Sequence, residues 1–179
     1  MVKRELQTIV VTAILLAIAI VAWYELSLSQ TNGTYKHKSK AASGHTDMTF
    51  KDADKAGYVV AGPGGYFNVE KLEAFYQAVQ DRQKSQLSIA RYTDEGDPIF
   101  VDLDFDGQSI DYVYDTSWDA FGGQDKGVRK TKCEVINKRT GAYGEDYGTT
   151  YVLSKCAADI GYSDSEKKEY HLLFISQGR

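Results

Sequence analysis

Hydrophobic and polar residues alternate most regularly in two runs that flank Asp106-Gly107. The runs extend from Pro98 to Phe105 and from Gln108 to Asp115. An Asp-Gly dipeptide readily supplies the positive φ angles of a tight hairpin turn, and alternation with a period of two is typical of strands. The pattern predicts a β-hairpin with a two-residue turn, apolar on one face and rich in carboxylates on the other.

The segments around this hairpin predict one helix and further strands. Apolar residues recur at helical spacing after Asn68, which we expect to be the N-cap of a helix that ends near Gln83. Besides a short strand at 57–61, period-two segments occupy 87–93, the two hairpin arms, 131–138, 150–155 and 170–176. The predicted fold class is α+β: one amphipathic helix packed on an antiparallel sheet of about six strands, preceded by an N-terminal hydrophobic helix.

The N-terminal hydrophobic segment predicts a membrane anchor. Lys3 and Arg4 precede an apolar run from Ile9 to Tyr24, which is close to the length that spans a bilayer. The predicted organisation is a transmembrane signal-anchor at 1–28, a flexible linker at 29–55 and an extracytoplasmic domain at 56–179. This arrangement implies a single-pass protein of the cell membrane with its C-terminal domain outside and the membrane as a partner.

Two alternatives compete for the same N-terminal segment. A small-x-small pattern at Ser27-Leu28-Ser29 would allow cleavage near Ser29 and secretion. Glu5 before the apolar run is also superficially similar to the start of a pilin, the subunit of a surface filament. His37 and His45 fall in the predicted linker, where we expect them to be solvated.

Charge and cysteine content narrow the class of protein. The net charge of −4 argues against nucleic acid as a partner, because that binding depends on basic side chains. Cys133 and Cys156 lie in consecutive predicted strands, and an exported domain would favour their oxidation to a disulfide. Closing a loop of this size contributes about 3 to 4 kcal/mol by the chain-entropy estimate.

The acidic face of the hairpin is a candidate cation site. Asp102 and Asp104 begin a D-x-D-x-D-G sequence that opens like a calcium loop but lacks its later ligands. A two-residue turn would place Asp102 opposite Asp111, where like charges repel unless they are neutralised. Asp102, Asp104 and Asp111 could bind calcium, form a salt-bridged cluster with Arg91 or Lys132, or simply face solvent.

Few residues point to catalysis. His171 lies in a terminal strand without a motif around it, and Glu95 and Asp97 lie in a connection where turn roles are more common. The sequence assigns no catalytic residue and no cofactor, and it favours a binding module over an enzyme. Trp118 and Phe121, in a polar loop, are the candidates for a contact surface.

Several segments together resemble a known family. They are NVEKLEAF from residue 68, YTDEGDPI from residue 92, Asp106-Gly107, the stretch 115–122 and the two cysteines. Over residues 56–176 they resemble the family called domain of unknown function 4362, whose members look like small extracytoplasmic lipoproteins of Gram-positive bacteria. This chain lacks the lipid-modified cysteine of such proteins, and the family implies no activity.

Together these observations predict an uncharacterised, membrane-tethered extracytoplasmic domain that binds a partner protein or a cell-wall component at the cell surface. The alternatives are a pilin-like filament subunit and a cation-binding or wall-acting enzyme that uses surface carboxylates.

Overall fold

The computed structural model describes residues 44–177, which form one eight-stranded sheet and two short α-helices. In chain order the elements are α1 (Phe50–Lys55), β1 (Val59–Gly62), β2 (Gly65–Phe67), α2 (Glu70–Gln80), β3 (Ser85–Tyr92), β4 (Pro98–Phe105), β5 (Ile110–Asp115), β6 (Val128–Tyr143), β7 (Asp146–Cys156) and β8 (Tyr170–Ser176). A short 3-10 turn, Gly123–Asp125, lies between β5 and β6.

The strands follow chain order across the sheet except at one edge, where the order is β2-β1-β3. β1 runs parallel to β3, while every other neighbouring pair is antiparallel. A parallel pair needs a long connection, and α2 lies in that connection. The remaining strands, from β3 to β8, form a simple antiparallel meander.

The hairpin between β4 and β5 has the predicted arms but a longer turn. Phe105 pairs with Ile110, so the connection contains four residues rather than two. The Asp106 carboxylate accepts hydrogen bonds from the backbone N–H groups of Gln108 and Ser109, which closes the wider turn. The predicted register is therefore wrong by two residues, and because the shift is even, each side chain stays on its predicted face.

The sheet curls into a half-barrel. In a flat sheet, β3 and β8 would be about 24 Å apart, since neighbouring strands are spaced by about 4.8 Å. Arg91 on β3 nevertheless donates a 3.4 Å hydrogen bond to the carbonyl oxygen of His171 on β8. The ring centroids of Tyr112 on β5 and Tyr170 on β8 are 5.0 Å apart.

The main hydrophobic core fills the inner, concave face of the half-barrel. Leu72 and Phe75, on the buried side of α2, pack there against alternate residues of the strands. A smaller core lies on the outer face, where Phe50 and Ala53 of α1 pack with Val60, Ala90, Tyr92 and Phe100. Burying two faces of the same strands explains why β3 and β4 contain so many apolar residues.

Helix α2 begins later than predicted, and Asn68 is not its N-cap. Asn68 adopts a φ of 56°, a left-handed conformation that asparagine tolerates better than most residues. Its side-chain amide donates to Asp54 Oδ1 at 3.0 Å and to the carbonyl oxygen of Tyr58 at 2.8 Å. Asn68 therefore ties the start of α2 to α1 and β1 instead of capping the helix.

The predicted fold class is wrong, because the domain is mostly β. It contains eight strands rather than about six within residues 44–177, and α1 accompanies the one predicted helix. β2 has only three residues and α1 only six, so neither is long enough to show a clear periodicity. The predicted linker 29–55 is also too long, since α1 falls within it.

A disulfide joins Cys133 to Cys156, as predicted. The two residues face each other directly in the β6–β7 ladder, and their Cα atoms are 4.0 Å apart. The bond therefore connects neighbouring strands whose pairing already brings the cysteines together.

The predicted membrane anchor, 1–28, lies outside the described residues. Within residues 44–177, each helix is too short or too polar to cross a membrane. The structure gives no support to three predictions, which are corrected accordingly. They are single-pass membrane localisation, the membrane as a partner, and an N-terminal hydrophobic helix in the fold.

Candidate functional site

The segment before α1 lies against the outer face of the sheet, and His45 holds it there. The His45 ring stacks on Phe100 with a centroid distance of 4.2 Å, and its side chain is only 8% exposed. Its Nε2 atom lies 2.8 Å from Asp102 Oδ2, and its Nδ1 atom lies 3.2 Å from the Tyr58 hydroxyl. The prediction of a solvated His45 is therefore wrong, since this residue is part of the folded domain.

Asp102 continues the hydrogen-bonded chain that starts at Tyr58. The Ser88 hydroxyl donates to Asp102 Oδ1 at 2.6 Å, so both carboxylate oxygens have partners. Burial alone would raise the pKa of Asp102, but the hydrogen bonds from His45 and Ser88 outweigh it and lower that pKa. Asp102 therefore stays ionised and anchors His45 rather than acting as a free ligand.

This chain of four side chains does not form a nucleophilic triad. In such a triad the hydroxyl bonds to the imidazole, whereas Ser88 bonds to the carboxylate. Burial, reinforced by the charge of Asp102, raises the pKa of Tyr58, so its hydroxyl stays protonated. The arrangement fixes the position of the segment that contains His45.

The other two carboxylates of the predicted cation site have separate partners. Asp104 lies opposite Asp111 in the β4–β5 ladder. Gln86 donates to Asp104 at 2.8 Å. Lys132, one of the two basic residues predicted to neutralise this face, lies 3.1 Å from Asp111 and forms an ion pair with it. The three predicted ligands thus have different partners and share none.

A second carboxylate cluster lies near β8. Among the described residues, ligand atoms of Asp164, Glu169 and His171 come within 4.8 Å of one another. Arg139 donates to both oxygens of Glu169, at 2.5 and 2.7 Å, and Lys167 lies 2.9 Å from Asp164. Because protein cations already neutralise both carboxylates, this cluster favours an internal salt-bridge network over a metal centre.

The loop between β5 and β6 holds Trp118 and Phe121 at the surface. Trp118 is 40% exposed, and its Nε1–H donates to the carbonyl oxygen of His45 at 3.1 Å. Phe121 is 77% exposed, while the preceding Ala120 N–H donates to the Asp97 carboxylate at 2.9 Å. One bond from the Trp118 side chain and one from the loop backbone therefore hold this loop to two neighbouring segments.

A groove of about 340 Å³ opens beside this loop, lined by His45, Asp115, Ser117 and Trp118. Asp115, at the end of β5, is only 1% exposed. Its Oδ1 atom accepts a 2.9 Å hydrogen bond from the Ser117 N–H, and its buried Oδ2 atom has no partner among the described residues. A buried carboxylate oxygen without a donor is rare in folded proteins, so this atom marks the groove as a candidate ligand site.

A larger groove, of about 480 Å³, is lined in part by residues 47–50, which follow His45 in the chain. Phe50 and Tyr92 line it together with three carboxylates, Asp47, Asp94 and Glu95. The Tyr92 hydroxyl donates to the carbonyl oxygen of Met48 at 2.7 Å, and burial raises the pKa of Tyr92 to about 12. Both grooves thus depend on the docking of residues 45–50.

Sequence reasoning found the exposed aromatic residues of this region and missed His45 and Asp115. The exposure of Trp118 and Phe121 agrees with their position in a polar loop, while their role in binding stays a prediction. In the sequence, Asp115 is the polar residue at the end of an alternating strand, which is also the usual place for a solvated turn residue. The pattern therefore gave no sign that it is buried. Nothing near His45 in the sequence indicated that it packs on Phe100.

The fold and the groove define a small, disulfide-closed β domain with a strongly curved sheet and a candidate ligand site on its outer face. The chain belongs to the family described as "Domain of unknown function (DUF4362)", whose family model matches residues 56–148. This match begins before β1 and ends within β7, so it includes Asp115, Trp118 and Phe121 but not Cys156. Comparison with curated proteins and with solved structures gave no match.

Proposed function

We propose that this domain is a non-catalytic binding module whose ligand occupies the groove lined by His45, Asp115, Ser117 and Trp118. The observation that carries the proposal is the Oδ2 atom of Asp115, which is buried and has no hydrogen-bond partner in the described part of the chain. Leaving a buried polar atom unpaired costs about 1 to 3 kcal/mol. A ligand that donates to this oxygen would recover that cost on binding.

The chemistry of the groove favours a carbohydrate. The unpaired Oδ2 atom of Asp115 can accept a hydrogen bond, so the ligand must bring a donor such as a hydroxyl group. The exposed indole of Trp118 offers a flat apolar surface next to it. A sugar ring combines hydroxyl donors with a flat C–H face and meets both requirements, and Phe121 would extend the apolar contact.

The site is already shaped before a ligand arrives. Trp118 bonds to the backbone of His45, and His45 is in turn held by Asp102 and Phe100. Preorganised side chains lose little conformational freedom on binding, which supports specific recognition by a small surface. In the Tyr58 to Ser88 chain the serine hydroxyl bonds to the Asp102 carboxylate and not to the His45 imidazole, which supports binding rather than hydrolysis.

Trp118 fluorescence offers a direct test. The full chain contains one other tryptophan, Trp23, so a Trp23→Phe background isolates the signal of Trp118. We expect neutral hexasaccharides of glucose and of N-acetylglucosamine to change this fluorescence signal. A parallel titration with n-butylammonium tests whether the groove binds an amine instead. Asp115→Asn should weaken sugar binding by about tenfold, the loss expected for one hydrogen bond.

Asp104→Asn is the matched control, because it makes the same substitution on the same face of the sheet. Asp104 lies four positions along the β4–β5 ladder from Phe100, the residue that pairs with Asp115. It should leave sugar affinity unchanged. The proposal is overturned if no sugar changes the Trp118 signal or if Asp115→Asn binds as tightly as the parent. A response to butylammonium alone would reject the carbohydrate class.

A further inference from the structure

Two arginines meet around one tyrosine ring on the inner face of the half-barrel. Arg91 on β3, Tyr114 on β5 and Arg129 on β6 point to the same face as the main core, and Arg129 lies directly opposite Tyr114 in the ladder. The guanidinium carbons of Arg91 and Arg129 lie 5.5 and 5.2 Å from the centroid of the Tyr114 ring. Each cation is thus attracted to the same aromatic ring.

Among the described residues, most hydrogen-bond donors of this pair have no partner. A guanidinium group carries five N–H donors. Arg91 donates one 3.4 Å bond to the carbonyl oxygen of His171, and Arg129 donates one 3.0 Å bond to the carbonyl oxygen of Ile160. The Nε atoms of both arginines are buried and have no partner within residues 44–177.

Neither arginine forms an ion pair with a described carboxylate, although the chain is acidic overall. Other basic side chains do form such pairs: Lys132, Lys138, Arg139 and Lys167. Asp159, which precedes the segment that Arg129 contacts, accepts instead from the backbone N–H groups of Gly161 and Tyr162. Two half-buried positive charges therefore have no counter-charge within residues 44–177.

The electrostatic environment of the nearby tyrosines agrees with this picture. Burial raises the pKa of Tyr112 well above its usual value, and the charges of Arg91 and Arg129 act in the opposite direction. Tyr112 and Tyr170 are in ring contact beside the arginines, with centroids 5.0 Å apart. The arginines thus lie against an aromatic wall in which charged groups interact more strongly than in bulk water.

We propose that Arg91 and Arg129 together bind the oxyanion group of a small ligand, a phosphate or a carboxylate, on the inner face of the sheet. An oxyanion would accept bonds from the unused N–H donors and would neutralise two neighbouring like charges. This site lies on the opposite face of the sheet from the groove of Asp115, and it does not depend on the function proposed for that groove.

The competing explanation is that both arginines are only structural links between strands. Arg91 connects β3 to β8, and Arg129 connects β6 to the segment before β8. A purely structural role predicts that substitution destabilises the fold equally with and without added anion. A binding role predicts a response to anion that depends on these two side chains.

NMR of the full chain can distinguish the two roles, because the Nε–H groups of arginines give their own signals. Inorganic phosphate and acetate are titrated separately, and each added anion replaces sodium chloride so that the ionic strength stays constant. We expect the Nε–H signals of Arg91 and Arg129 to shift with saturation in at least one series. If only phosphate or only acetate shifts the signals, that result identifies which oxyanion the site prefers.

Substitutions complete the test. Arg91→Gln and Arg129→Gln should each weaken anion binding by about tenfold or more, as expected for loss of a charge-assisted bond. Arg129→Lys, which keeps the charge but not the fork of donors, should retain part of the affinity. Lys130→Gln is the matched control, since it removes one charge from the adjacent position on the opposite face of β6.

Signals that do not move in either series would overturn the proposal, and so would equal losses in the Arg129→Gln and Lys130→Gln variants. If Arg129→Gln does not fold, the signal shifts of the parent chain and the Arg129→Lys variant still decide the outcome.

Discussion

Glu73→Gln tests how helix α2 is attached to the sheet. Glu73 accepts hydrogen bonds from Lys138 Nζ at 2.7 Å, from the Tyr151 hydroxyl, and from Gln77 Nε2 at 3.0 Å within the helix. The first two donors lie on β6 and β7, so one carboxylate connects α2 to both strands. The substitution keeps the shape of the side chain and removes its charge.

The pKa of Glu73 gives the size of the expected effect. The hydrogen bond from Lys138, followed by that from Tyr151, lowers this pKa from 4.5 to about 2. Each pKa unit corresponds to about 1.4 kcal/mol of folding free energy, but the side chain is 37% exposed and solvent screens part of the interaction. We therefore expect Glu73→Gln to lower the free energy of unfolding by about 1 to 2 kcal/mol at neutral pH.

The pH dependence separates charge from shape. Because the pKa is lower in the folded state than in the unfolded state, this stabilisation is fully present above pH 4.5 and is lost as the pH falls through about 2. Urea unfolding of the parent and of Glu73→Gln should differ most at neutral pH. The difference should shrink steadily as the solution is acidified across that window.

Glu70→Gln is the control, since Glu70 lies exposed in the first turn of the same helix. It should change stability by less than about 0.5 kcal/mol, through the helix dipole alone. A Glu73→Gln deficit that stays constant from neutral to acidic pH would refute the reasoning, because it would show that the lost interaction is not ionic. Equal effects of the two substitutions would refute it as well.

Two further predictions concern the disulfide and the docked segment. Replacing Cys133 and Cys156 together by alanine should lower the free energy of unfolding, measured with urea, by about 3 to 4 kcal/mol. An unchanged unfolding midpoint would contradict the chain-entropy argument. His45→Ala should lower the free energy of unfolding by about 1 to 3 kcal/mol, because the half-buried Asp102 carboxylate loses a hydrogen-bond partner and Phe100 loses the ring stacked on it. The same variant should be cut faster by trypsin at Lys51, whereas unchanged cleavage would show that His45 does not hold this segment.

The strands were predictable where local alternation was strong. β4 and β8 occupy the predicted residues, since period-two patterns mark both faces of a strand directly. The turn between β4 and β5 was predicted in the right place but with the wrong length, because the Asp106 side chain closes a four-residue loop where Asp-Gly alone favours two residues. Side-chain hydrogen bonds of this kind depend on the folded turn and leave no periodic signal.

The candidate site was predictable only in part. Polar surroundings indicated that Trp118 and Phe121 are exposed, and they are. His45 and Asp115 escaped notice because their importance comes from long-range contacts: one ring stacked on Phe100, and one carboxylate buried at the end of a strand. Residue type and spacing describe a residue's neighbours along the chain, but not those it acquires by folding.

The sequence by itself determined which residues of the β4–β5 hairpin face the core and that Cys133 and Cys156 would pair, because both follow from alternation and from neighbouring antiparallel strands. Only the tertiary structure decided how strongly the sheet curves. Curvature accumulates from small twists between many strand pairs, and it is this sum that brings Arg91 within reach of β8 and places it with Arg129 around Tyr114. No short stretch of the chain encodes that sum, so the two arginines read as ordinary strand residues until the fold is known.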